Sequence, residues 1–201
     1  MILSEAQKDG LTELLNIAFS RTAASLSELT GHRVLLSKPE VEVCPVDRLQ
    51  EVLGGVLPSE EVATVHQIFG GPLAGDALLV LDMGGAATLV ELLTGEAVHG
   101  PVLGASAGEV LVEVGNILLN SCLGMFGNLL QVHVTFSVPR LHLESMASML
   151  DSLIIGQEEI RYALVVATRF VVSESAVGGY LVIVLGVTSL DRLLQGIARL
   201  G

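Results

Sequence analysis

Tryptophan is missing from this 201-residue chain, and all aromatic residues together make up 3% of it. A core must therefore be packed from branched aliphatic side chains, which favours a mixture of helix and sheet. Basic residues are scarce as well: 10 Lys and Arg face 22 Asp and Glu, a net charge of −12. That balance excludes nucleic acid and an anionic membrane surface as partners, since both need a cationic footprint. It keeps an apolar protein dissolved, and it would suit a partner that presents a lysine. The two cysteines, Cys44 and Cys122, stand far apart with no His or Cys at ligand spacing, so they read as buried thiols. The histidines at 32, 66, 99, 133 and 142 are equally scattered, and no metal site is expected. No run of about 20 apolar residues is found that would span a membrane. The first residues, Met1-Ile2-Leu3-Ser4-Glu5, carry no basic region or cleavage pattern, so a cytoplasmic location is expected. Gly70-Gly71-Pro72 and Gly84-Gly85 lack the Gly-Lys-Ser/Thr that a phosphate loop needs and read as turns.

What the chain does have is apolar bulk, 51% of its residues, with a mean hydropathy of +0.67. It also repeats itself. A shift of one hundred positions superposes Leu11 on Leu111, Glu13 on Glu113, Asn16 on Asn116, Ile17 on Ile117, Val34 on Val134, Ser37 on Ser137 and Pro39 on Pro139. Apolar residues at helical spacing predict a helix from Ser4, as N-cap, to Leu29, stopped by Gly31. Residues 34–43 alternate like a strand, with Pro39 at an edge or bend. A short helix over Asp47 to Leu53, a hairpin of Val62 to Phe69 with Ala77 to Leu81, and a helix from Gly85 to Leu93 complete the unit. The second copy predicts a helix over Ala107 to Leu130, a strand over Val132 to Leu143, a helix over Glu144 to Leu153, hairpin strands over Ile160 to Val172 and Gly179 to Val187, and a last helix to Leu200.

One-sided sheets of this size need a partner. The expectation is a single α+β domain over 1–201, built of repeat 1 (about 1–99) and repeat 2 (about 104–201) joined near Gly100-Pro101. No Ser-, Gly- or charge-rich linker parts them. Each repeat runs helix, strand, helix, hairpin, helix around a pseudo-two-fold axis. The repeats share a largely antiparallel sheet with the two long helices on one face.

Each long helix carries one polar line. Asp9, Glu13, Asn16 and Ser20 fall at i, i+4, i+7 and i+11, a single helical face, and Glu109, Glu113, Asn116 and Asn120 repeat it. A solvated face explains one such stripe. It explains two less well, because Asn is a mediocre helix former and stands in both copies three residues after a Glu and 23 before a Pro. With ordinary residue frequencies, Glu-x-x-Asn-x22-Pro arises at a given start on the order of once in ten thousand times.

This pattern resembles the signature of the CheC, CheX and FliY phosphatase family: an Asp or Ser, three residues, a Glu, two residues, an Asn, 22 residues and a Pro. The first copy matches at Asp9, Glu13, Asn16 and Pro39. The second matches at Glu113, Asn116 and Pro139, with Glu109 where the family has Asp or Ser. Two sites without flagellar-switch segments are most like the CheC branch.

The resemblance implies hydrolysis of the aspartyl phosphate of a CheY-like response regulator in chemotaxis signalling. Such chemistry rests on positioning and electrostatics. Asn16 and Asn116 would orient the attacking water without repelling phosphoryl oxygens, and Glu13 and Glu113 would engage the regulator's lysine. Asp9, Ser20, Glu109 and Asn120 are expected to contact the substrate. The chain would need no cofactor of its own, because Mg²⁺ would come with the regulator. CheD, a deamidase bound by members of the family, is a further expected partner, with Asp151 and Met149 on the short helix 144–153 as contacts. The competing reading is a non-catalytic module that binds the regulator or CheD, like the middle domain of FliM.

Overall fold

The computed structural model describes residues 3–54, 61–98, 103–154, 161–172 and 174–199. The Gly100-Pro101 join, Ile160 and Leu200 lie outside them. Both halves follow one order of elements. The first runs α1 (Glu5–Thr30), β1 (Val34–Leu36), β2 (Glu40–Pro45), a 3-10 turn (Val46–Arg48), α2 (Leu49–Gly54), β3 (Glu61–Gly70), β4 (Gly75–Asp82) and α3 (Met83–Thr94). The second runs α4 (Ala105–Leu130), β5 (Thr135–Phe136), β6 (Arg140–Ser145), α5 (Met146–Ile154), β7 (Arg161–Val172), β8 (Ser175–Gly186) and α6 (Val187–Ala198). Val187, expected to end a strand, instead opens α6.

Local chemistry explains where α1 starts and stops. Ser4 and Gln7 form a reciprocal capping box, in which the Gln7 amide donates to Ser4 Oγ and the Ser4 amide to Gln7 Oε1. Gly31 ends the helix in the left-handed region at φ 70°, where a side chain would be strained. A Ser-x-Pro segment then breaks the following strand in each copy, since proline has no N–H to give the ladder. The serine mends the gap both times. Ser37 N donates to Arg169 O and Arg169 N donates to Ser37 Oγ, both at 3.0 Å. Ser137 N donates to Ile68 O and Ile68 N donates to Ser137 Oγ, both at 2.9 Å.

The eight strands form one antiparallel sheet ordered β1-β7-β8-β4-β3-β5, with β2 extending the edge along β7 and β6 along β3. The copies thus exchange their first strands: β1 and β2 pair with the second hairpin, β5 and β6 with the first. At the centre β4 meets β8, and Leu79 lies opposite Leu181. The two sheet faces have separate cores. Helices α1, α3, α4 and α6 cover one, packing on Val65, Leu79, Leu181 and Ile183. Helices α2 and α5 cover the other over Leu78, Val80, Val182 and Val184. The two long helices share a face, as expected from the sequence.

One expectation needs correction. Helix α4 is long and apolar enough to cross a membrane, with a mean hydropathy of 1.5. Scattered polar residues interrupt its apolar run without much lowering the average. Half of its most apolar stretch is buried in the fold, where Leu111, Leu118, Leu119 and Phe126 are core residues.

On the face covered by α2 and α5, Asp76 ties three elements together. His66 Nε2 lies 3.0 Å from Asp76 Oδ1, and Arg161 pairs with Oδ2 while its other nitrogen donates to the Leu153 carbonyl at 3.2 Å. Burial pushes the Asp76 carboxyl up, but the hydrogen bonds from His66 and Arg161 outweigh it and hold the group below its ordinary value.

Two predictions follow from this packing. Leu15 in α1 is fully buried, whereas its counterpart Gly115 lets α4 lie directly on β3: a Cβ there would meet Val65 Cγ1 at 2.5 Å. Leu15→Ala should cost about 2–5 kcal/mol and Gly115→Ala about 1–3 kcal/mol. Gly124→Ala, with open space around the new methyl, should instead stabilise by up to about 1 kcal/mol; thermal unfolding of the three variants checks the order. For Asp76, a depressed folded pKa contributes stability that is fully present above the unfolded value, near pH ~4, and is lost as pH falls through the lower folded value. Urea midpoints measured down to pH ~3 should show this acid limb flattened in Asp76→Asn.

Candidate functional site

Helices α1 and α4 lie against each other on the sheet. Ser121 Oγ donates to the Ala18 carbonyl at 3.0 Å, and the Arg21 guanidinium reaches Met125 Sδ at 3.3 Å. Their apolar faces are buried: Leu11, Leu14, Leu15, Ala18 and Phe19 on α1, and Leu111, Val114, Leu118 and Leu119 on α4. The two polar stripes are what remains for solvent. Asp9, Glu13, Glu109 and Glu113 are exposed, and Asn16 and Asn116 are half-buried beside them. Among the described residues none of those four carboxylates is in an ion pair. Each stripe can therefore meet a cation from outside without first breaking a pair, and its Glu and Asn lie about one helical turn apart.

The stripes differ in their details. Ser20, expected to contact substrate, donates its hydroxyl at 2.9 Å to the backbone carbonyl of Asn16. Asn120 turns its amide along the helix, with Nδ2 donating to Asn116 Oδ1 at 2.7 Å. Both side chains are thus engaged within their own helices. Ile17 escaped the sequence reading. It is 37% exposed, next to Asn16, and its counterpart Ile117 is half-buried. The identity of 17 and 117 across the repeat was the available signal, but an isoleucine at helical spacing is ordinarily core.

Of the two contacts placed on α5, Asp151 is exposed and Met149 is not. Met149 is 1% exposed and packs in the core over the opposite sheet face, with the Thr64 hydroxyl 3.4 Å from its sulfur. It cannot serve as a contact surface, because the apolar face of α5 is spent on the sheet. Both cysteines are buried and unpaired. Burial pushes the Cys44 thiol up to about 11, with Glu42 adding to the rise, and pushes Cys122 further up. Neither has the thiolate character of a nucleophile. Among the described residues no group of three or more His, Cys, Asp or Glu could hold a metal ion.

A doubled sheet with paired helices and one polar stripe on each defines the class of protein to compare. No family model matches the chain. It is 26% identical over 143 residues to the flagellar motor switch phosphatase FliY of Bacillus subtilis, covering 70% of this chain and 36% of FliY. To the CheY-P phosphatase CheC of the same organism it is 24% identical over 173 residues, 83% of this chain and 80% of CheC. The chain thus spans about a third of one curated relative's length and most of the other's. Among solved structures, Thermotoga maritima FliY matches with a TM-score of 0.78 at 19% identity over 99% of both chains. The middle domain of H. pylori FliM matches with 0.68 at 14% identity, over 96% of this chain and 99% of that one. In sequence the chain is similar to CheC- and FliY-type proteins, and it shares its fold with FliY and the middle domain of FliM.

The stripes and the faces behind them should respond oppositely to substitution. Leu14→Ala opens a cavity and should cost about 2–5 kcal/mol. Asn16→Ala replaces a mediocre helix former, which makes no side-chain hydrogen bond to another described residue, with the best one. Its melting temperature should stay level or rise by the equivalent of a few tenths of a kcal/mol. A large drop would mark Asn16 as a structural group.

Proposed function

We propose that this chain hydrolyses the aspartyl phosphate of a CheY-like response regulator. The observation that carries the reading is the doubled stripe: two Glu and Asn pairs on neighbouring helices, each Glu exposed and each Asn half-buried beside it. The names of the curated relatives supply the reaction class, since FliY is named a phosphatase and CheC a CheY-P phosphatase.

In this mechanism Asn16 or Asn116 reaches into the regulator's phosphorylation site and holds a water in line with the leaving carboxylate. The water oxygen bonds to phosphorus, the bond from phosphorus to the aspartyl oxygen breaks, and the water's proton leaves with inorganic phosphate. A neutral amide suits the task because a carboxylate would repel the phosphoryl oxygens. Glu13 or Glu113 engages the regulator's lysine and fixes the docked geometry, which is where most of the acceleration in phosphoryl transfer arises. Asp9 and Glu109 extend the acidic line to the rim of the contact, and Ile17 adds an apolar anchor beside Asn16. Mg²⁺ is supplied by the regulator's own acidic pocket.

A docking module on the same fold would have no use for a water-orienting amide, so the paired Glu and Asn favour catalysis over adaptor function. The middle domain of FliM shares the architecture, and the fold alone does not choose between the two roles. Any partner on α5 would meet Asp151 and act from the sheet face opposite the stripes.

The test is phosphate release from a phosphorylated regulator. Asn16→Ala and Asn116→Ala should each leave the other site working, and the double variant should lose about 100-fold or more, as when an oriented hydrogen-bonding group is removed from a transition state. Release by the double variant at the parental rate would overturn the reading.

A further inference from the structure

The geometry points to Asn120 as a positioning residue, one that sets which end of the Asn116 amide meets the substrate. This inference rests on the phosphatase reading and adds a residue to its second site. Asn120 stands one helical turn after Asn116, and its Nδ2 donates to Asn116 Oδ1 at 2.7 Å. Its own Oδ1 is buried with no hydrogen-bond partner among the described residues. A buried acceptor left unsatisfied is costly, and native proteins keep few of them without a reason. Asn is also a mediocre residue for a helix interior. Neither feature helps α4 to fold.

The consequence lies in the chemistry of an amide, which offers an acceptor at one end and two N–H donors at the other. Phosphoryl oxygens are acceptors, so only the donor end is attracted to them. With Asn116 Oδ1 occupied by Asn120, the Nδ2 end is the one left to face outward. The rotated form, with oxygen outward, would give up that hydrogen bond and point a lone pair at the phosphoryl group. Asn120 thus removes unproductive orientations before the regulator docks.

The first site is built without this device. Its equivalent residue is Ser20, whose hydroxyl donates to the Asn16 backbone carbonyl and leaves the Asn16 amide unrestrained. The two sites therefore carry the same reacting groups with different degrees of preorganisation, which is worth rate when reacting groups must be aligned.

The experiment isolates the second site in an Asn16→Ala background and measures kcat and KM for phosphate release from the phosphorylated regulator. Asn120→Asp keeps the shape but can only accept, so Asn116 must turn its Nδ2 inward. It should lower kcat about tenfold or more when assayed well below its unfolding transition, since a carboxylate in this half-buried place also lowers the melting temperature. Asn120→Ser, the residue of the first copy, merely releases the amide and should lower kcat about two- to tenfold with KM little changed. Values of kcat within about twofold of the background for both variants, or a loss carried by KM or melting temperature alone, would overturn the positioning role and leave the phosphatase reading intact. If neither the parent nor the Asn16→Ala background releases phosphate, the phosphatase reading itself fails, and the positioning role with it.

Discussion

The exchange of edge strands between the two copies is the constraint on which the rest of the architecture depends. Strands β1 and β2 follow the first long helix yet pair with β7 of the second hairpin, while β5 and β6 pair with β3 of the first. Each half consequently supplies an edge to the other's hairpin, and β4 joins β8 at the centre. A half taken alone would leave its own β1 and β2 without the ladder that satisfies their backbone groups, and it would expose one side of its hairpin. Because the helices leading into these strands are anchored by the exchange, α1 and α4 are brought side by side on one sheet face.

That arrangement explains why the polar stripes survive as a pair. The buried side of each long helix is committed to the sheet by Leu11, Leu15 and Phe19 in one copy and by Leu111, Leu118 and Leu119 in the other. The opposite side is free to carry groups that contribute little to stability. Asp9, Glu13, Glu109 and Glu113 form no ion pairs among the described residues. Unpaired acids on neighbouring helices are useful to a surface that must accept a partner's cation. The copies have diverged where local packing differs: Gly115 brings α4 onto Val65 where Leu15 fills the same place under α1. They have diverged at 20 and 120 as well, with different hydrogen bonds to the shared asparagine.

The pattern that carries the resemblance to CheC- and FliY-type proteins is physically composite. Glu is exposed with Asn half-buried beside it on the outer side of the helix, whereas the proline 23 residues further on from Asn serves the sheet. Pro39 and Pro139 stop the edge strand, and Ser37 and Ser137 bridge the break to Arg169 and Ile68 in the same way. One signature thus records both a candidate reactive surface and the strand break that accompanies the exchange of edges.

Much of this was readable from the chain itself, wherever the determining physics is local. Ser4 and Gly31 bound α1 through capping and a left-handed turn, the prolines place the strand breaks, and the shift of one hundred exposes the duplication. Helical spacing alone assembles Glu13 with Asn16 and Glu113 with Asn116. Contacts between residues distant in sequence were decided only in the tertiary structure. Periodicity shows that a strand has an apolar face, but backbone hydrogen bonds are the same with any partner, so nothing local says that β1 belongs to β7. Met149 looked available on a short amphipathic helix until α5 was laid on the sheet and buried it. The roles of Ser20 and Asn120 were hidden for a subtler reason: both sit on the predicted face, but whether a polar side chain points to solvent, to its own backbone or to a neighbouring amide depends on the packing around the helix. Sequence therefore determined the elements and the chemistry they carry, and tertiary packing decided which of those groups remain free to use it.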